Sequence, residues 1–180
     1  MGLPAPQQTG FTLEDWRLWE GRWELIDGVA FDMTPAPSLE HQRVASLLHL
    51  RIGTALEIGR KASGGNCEAF FAPIDVFLGG GVVQPDLVVV CDDARKTEKG
   101  IVGPPDLVVE ILSPRTASRD HTRKRWLYEA AGVPEYLIVD PEVRVALLLR
   151  LKDGRYEEAL RAEWGSVLEL LGQTLSITLD

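Results

Sequence analysis

The sequence predicts an α/β fold, α+β in its details, built as a mixed, twisted central sheet with helices packed on it. Three observations carry that expectation. Residues 84–90 (QPDLVVV) and 105–113 (PDLVVEILS) are near-continuous apolar runs, the pattern of central strands covered on both faces. After Ser38, residues Val44, Leu48, Ile52, Ala55 and Leu56 recur on one face of a long helix. A second helical stretch, 119–131, separates 105–113 from the strand-like EYLIVD of 135–140. A helix between two strands is the connection that parallel neighbours need.

The elements follow in order. Thr12 with Asp15 three residues on forms a capping box that opens a short helix through Trp16 and Trp19. WELIDGVAFDM, 23–33, reads as two strands around Asp27-Gly28, a strong hairpin signal. The stretch 35–38 breaks the chain, and Ser38 caps the long helix that Gly64-Gly65 ends. FFAPIDVFL, 70–78, is strand-like, whereas GGGVV (79–83) and DDARKTEKGIVGPP (92–105) read as loops, the second long enough to move. Gly132 stops the second long helix. VRVALLLRL and GRYEEAL form a closing hairpin, and SITL adds a last short strand.

A chain of 180 residues is of a size to fold around one continuous core, so residues 11–180 are expected to form one domain behind a disordered leader, 1–10. That leader has neither a basic n-region nor an apolar h-region, and no apolar run is long enough to span a bilayer. Cys67 and Cys91 lack metal-ligand spacing and read as buried free thiols. From that follows an expected cytoplasmic location. The formal net charge of −8 argues against a protein that coats nucleic acid through a global basic surface. It does not exclude a nucleic-acid enzyme, because charge is distributed unevenly. The stretch 115–125 holds Arg115, Arg119, Arg123, Lys124 and Arg125 against a single acid, Asp120.

The chemistry is carried by acids set in apolar strands. Asp86 stands at the mouth of one run, and Glu110 lies inside the other between Val109 and Ile111. A carboxylate there is desolvated unless a cation or a donor compensates it. Two carboxylates converging from adjacent strands repel, and a divalent metal relieves the repulsion. The competing reading makes Glu110 half of a structural ion pair with an arginine. Asp106, at the start of its strand, reads as a turn residue at the opposite end from Glu110. On the second long helix Asp120, Lys124, Leu127, Tyr128 and Ala131 share a face whose apolar half must meet the sheet. Asp120 and Lys124 then point along the sheet toward the strand carboxylates. A solvated Asp–Lys surface pair has the same spacing, and periodicity does not separate the two.

A Pro-Asp on one strand followed by a Glu on the next resembles the PD-(D/E)xK nuclease superfamily. WELIDG, QPDLVVV, PDLVVEILSP, the helix carrying Asp120, Lys124 and Tyr128, and GVPEYLIVDP together resemble, over roughly residues 11 to 179, the bacterial "putative restriction endonuclease" family, formerly a domain of unknown function. The resemblance implies a restriction-endonuclease-like sheet flanked by helices, and metal-binding carboxylates at Asp86 and Glu110. The lysine that the general motif places two residues after its Glu is Leu112 here. In the closer family it is relocated to the following helix, where Lys124 stands. Glu24 and His41 also match family positions, Glu24 as an auxiliary metal or water ligand.

The resemblance and these residue types imply a metal-dependent endonuclease acting on nucleic acid, DNA before RNA. Asp86 and Glu110 hold Mg²⁺ or Mn²⁺, and Lys124 stabilises charge at the attacking water or the transition state. Arg115, Arg119 and Arg123 contact flanking phosphates. Cutting a duplex needs two sites, which a homodimer supplies. A rival from another class is a catalytically inactive nuclease fold used for binding, which the Leu112 departure and the acidic charge favour. A glycosidase with paired carboxylates would want aromatics along a sugar cleft, whereas Trp16, Trp19 and Trp23 cluster near the N-terminus.

Overall fold

The structure is a computed structural model and describes residues 9–33, 36–113 and 120–179, with the backbone alone at 120–121. The expected leader lies almost wholly outside the described residues, as do Arg115 and Arg119.

A short helix, α1 (Leu13–Trp16), starts at Thr12, where the capping box forms in full: the Thr12 side chain accepts from the Asp15 N–H, and Asp15 accepts from the Thr12 N–H. Strands β1 (Trp23–Ile26) and β2 (Val29–Asp32) pair antiparallel around Asp27 and Gly28. Both turn residues have positive φ, 51° and 70°, which is why Asp-Gly serves there. Helix α2 (Leu39–Ser63) is capped by Ser38, whose hydroxyl accepts from the His41 N–H, and ends on Gly64 with φ 76°. Its buried residues are His41, Val44, Leu48 and Ile52, each apolar member worth roughly 2 kcal/mol of burial.

The expected mixed sheet with flanking helices is present, and a second sheet that the sequence did not reveal lies against it. β3 (Glu68–Phe71), β6 (Leu87–Val90), β9 (Leu107–Ile111), β10 (Glu135–Asp140), β11 (Val145–Lys152) and β12 (Arg155–Glu163) form one six-stranded sheet in the order β12-β11-β10-β9-β6-β3. Here β9 and β10 are parallel, as the intervening helix requires, and the other pairs are antiparallel. The other sheet has the order β2-β1-β5-β4-β8-β7, using β4 (Val76–Leu78), β5 (Gly81–Val83), β7 (Lys96–Thr97) and β8 (Gly100–Val102). A hairpin of β13 (Val167–Leu170) and β14 (Leu175–Thr178) closes the chain.

Three local expectations are corrected. GGGVV is no loop, because Gly81 enters β5, and a Cβ there would lie 2.5 Å from the Leu25 carbonyl oxygen. The glycine marks close strand approach rather than a turn. The 92–105 stretch is not a free loop: it holds a short 3-10 turn and the β7–β8 pair. Finally, 70–78 is two strands in two sheets, since Pro73 has no N–H to continue a ladder.

The central sheet buries both faces. One packs with α2 and the closing hairpin through Leu87, Val89, Leu107, Val109 and Ile111. The other packs through Val88, Val90, Val108 and Tyr136 against residues of the second sheet and α3 (Asp120–Ala131). By the pleat, Glu110 shares a face with Val108, toward α3.

The cysteine expectation is also corrected. Cys67 and Cys91 are joined as a disulfide. Glu68 pairs with Val90 in the antiparallel β3–β6 ladder, so the residue before β3 faces the residue after β6. That register, across 24 residues, is not readable from spacing, and it removes the premise of free thiols on which the expected compartment rested. Among the described residues no helix is long and apolar enough to cross a membrane.

Candidate active site

A cleft of about 1730 Å³ opens between α2 and the ends of both sheets, and Glu24, His41, Gln84, Asp86, Glu110, Leu112 and Lys124 all line it. Antiparallel pairing of β6 with β9 sets the start of β6 beside the end of β9. Asp86, just before β6, therefore meets Ile111: its Oδ2 accepts the Ile111 N–H at 2.7 Å. His41, in the first turn of α2, places Nε2 3.2 Å from the same oxygen. Asp106 lies at the far end of this strand pair, as expected, and accepts from the Cys91 N–H at 2.8 Å.

Lys124 reaches into this corner from α3. Its Nζ is 2.9 Å from Glu110 Oε1 and 2.8 Å from Glu24 Oε1, and the three side chains are only 8%, 12% and 4% exposed. One turn on, the Tyr128 hydroxyl donates to Glu110 Oε1 at 2.7 Å. Helical spacing puts Lys124 and Tyr128 on one face, and the apolar contact of that face with the sheet turns Lys124 inward. The surface-pair alternative is excluded for Lys124. The arginine pair proposed for Glu110 is replaced by a lysine pair. Leu112, just after β9, donates its N–H to the Val139 carbonyl and supplies no cation.

The charges are unevenly matched. Burial pushes Glu110 up to about 7; Lys124 pulls it back, while the Asp86 and Glu24 carboxylates push it further. Burial works against charge on Lys124 too, but Glu110 and Glu24 outweigh it and hold the ammonium above the ordinary lysine range. Burial likewise disfavours a charged His41, and the Asp86 hydrogen bond and the Asp86 and Glu110 charges prevail to raise it. Its Nδ1 is buried without a partner among the described residues.

A carboxylate pair short of positive charge fits a hard divalent ion. Among the described residues no group of three or more His, Cys, Asp and Glu could hold an ion. Mg²⁺-type sites commonly use one or two carboxylates with waters and substrate phosphate completing the shell, so Asp86 and Glu110 suffice in number and kind.

The remaining candidates fall as follows. Asp120 is the first residue of α3, and its side chain lies outside the described residues. Arg123 stacks its guanidinium 5.5 Å from the Phe31 ring centre. Gln84 escaped the sequence reading: its N–H donates to Glu24 Oε1 and its side chain bonds Asp75 and Arg22. Its place just before Pro-Asp was the only available signal.

The family model described as Uma2, "Putative restriction endonuclease", matches residues 13–180. Among solved structures, a nuclease described as putative and belonging to DUF820, from Anabaena variabilis ATCC 29413, matches with a TM-score of 0.74 at 19% identity, over 94% of this chain and 96% of that one. The likeness shows a shared fold. A chain of a DrdV–DNA complex matches at 14% identity and a TM-score of 0.32, over 73% of this chain and 12% of that one, too weak to carry an argument. No curated protein matches.

Proposed function

Because the chain belongs to the Uma2 family of "putative restriction endonucleases", we propose that it is a divalent-metal-dependent nuclease that hydrolyses phosphodiester bonds of DNA, with Asp86, Glu110 and Lys124 as its catalytic set. The observation that carries this reading is Glu110: buried at the cleft wall, bonded to Lys124 and Tyr128, and raised to about 7 by burial first and then by the Asp86 and Glu24 charges. Perturbed carboxylates of this kind cluster at functional sites.

Asp86 and Glu110 are the residues that would hold Mg²⁺ or Mn²⁺. When bound, such an ion supplies Lewis acidity at a phosphate oxygen and a lowered pKa for the attacking water. His41 and the Ile111 N–H hold Asp86 through Oδ2, so Oδ1 is the oxygen it would offer to an ion. Glu24 positions Lys124. Of the three Lys124 N–H donors, two go to Glu24 and Glu110, and the third is available to a water or a phosphoryl oxygen. Lys124 thus serves in place of the motif lysine absent at Leu112.

The test is cleavage of single- and double-stranded DNA and RNA by purified protein with Mg²⁺ or Mn²⁺, against EDTA and against Glu110→Ala. Metal-dependent cutting lost in the variant is the expected result. Equal cutting by both proteins would mean contamination, and no cutting on any substrate would favour a binding module.

A further inference from the structure

The two lysines that line the cleft, Lys61 and Lys124, are both paired. Lys124 is bridged by Glu24 and Glu110, and Lys61 pairs with Glu57. Arg22, which also lines the cleft, is different. It precedes β1 by one residue, and its carbonyl accepts from the Met33 N–H at 3.0 Å, so the β1–β2 ladder fixes its backbone. Strand alternation places its side chain on the same face as Glu24, roughly 7 Å along.

The side chain is held by one nitrogen. Arg22 Nε donates to Gln84 Oε1 at 3.0 Å. Gln84 is itself buried and fixed: its Nε2 donates to Asp75 Oδ1 at 2.8 Å, and its backbone N–H donates to Glu24 Oε1 at 2.8 Å. The carboxylate of Asp75 can only accept, so the amide must turn its oxygen to Arg22. This clamp costs the guanidinium one of its five N–H donors. The four on Nη1 and Nη2 have no partner among the described residues and form the fork that matches two oxygens of a phosphate.

We propose that Arg22 is a phosphate-binding residue of the cleft, held by Gln84 to take the backbone phosphate of a nucleic acid flanking the bond to be cut. The inference rests on the nuclease reading and adds to it a binding contact on the β1 side of Lys124. Because Gln84 bonds both Arg22 and Glu24, the phosphate contact and the Lys124 cradle share one support.

Binding of labelled single- and double-stranded DNA is measured by fluorescence anisotropy across a salt series, with Ca²⁺ replacing Mg²⁺. Arg22→Ala should weaken binding about tenfold and flatten the plot of log affinity against log salt by about 0.9 for duplex or about 0.7 for single strands. Arg22→Lys should keep the wild-type slope yet lose affinity, because a point charge cannot fork. Arg43→Ala, at an exposed residue paired with Glu40, should change neither. Wild-type binding and cutting with an unchanged slope in Arg22→Ala, or full affinity in Arg22→Lys, would overturn the Arg22 assignment alone. A wild-type protein that neither binds nor cuts nucleic acid would overturn this assignment and the nuclease reading together.

Discussion

Lys124→Met removes the cation that bridges two buried carboxylates, Glu24 and Glu110, while keeping most of the side-chain volume. Breaking a buried pair from one side costs about 3–5 kcal/mol, because the partner charge is left uncompensated. The cost should depend on pH, and its sign follows from Glu110. A carboxyl raised in the folded state from 4.5 to about 7 binds its proton more tightly folded than unfolded. Its contribution to stability is therefore complete below about 4.5 and is lost as pH rises through about 7. In the native protein that loss is roughly 3 kcal/mol. Without Lys124 the folded value climbs further, so the variant should lose more stability at pH 8 than at pH 5, where Glu110 is protonated and the lost partner of Glu24 is what remains of the cost. Urea unfolding at both values measures this. Adding Mn²⁺ at pH 8 should restore part of the loss, by returning positive charge to the corner. An equal loss at pH 5 and pH 8 would refute the part assigned to Glu110 ionisation.

Two further outcomes follow from the same geometry. Mn²⁺ binding to the native protein should tighten as pH rises to about 7 and level off above it, and below about 7 it should release a proton, since Glu110 must ionise to take the ion. Calorimetry in two buffers of different ionisation heat reads the proton directly, and pH-independent binding without proton release would contradict it. Reducing the Cys67–Cys91 bond, which closes a loop of 24 residues' separation, should lower stability by about 3 kcal/mol, seen as a lower urea midpoint in reductant that Cys67→Ser reproduces and reductant no longer changes.

Much of this site was legible because it follows local periodicity. The Lys124–Tyr128 spacing put both on the face that meets Glu110, and Pro-Asp at the mouth of an apolar run put Asp86 at a strand start. The Asp27-Gly28 hairpin and the α2 stripe were equally local. What escaped depends on which strands become neighbours. Gly81 reads as loop until Leu25 lies beside it, and the 92–105 stretch becomes β7 and β8 because β4 offers an edge. The cysteines bond because β3 and β6 share a register. Gln84 and Arg22 are adjacent only because β1 pairs with β5, a contact that no spacing in the chain announces.

The central claim is that Asp86 and Glu110 share one divalent ion, and anomalous diffraction from a crystal soaked in Mn²⁺ tests it most directly. The expected result is a single manganese peak within coordination distance of both carboxylates, absent from Glu110→Ala crystals soaked alike. A cleft without a peak, or a peak that persists unchanged in Glu110→Ala, would contradict it.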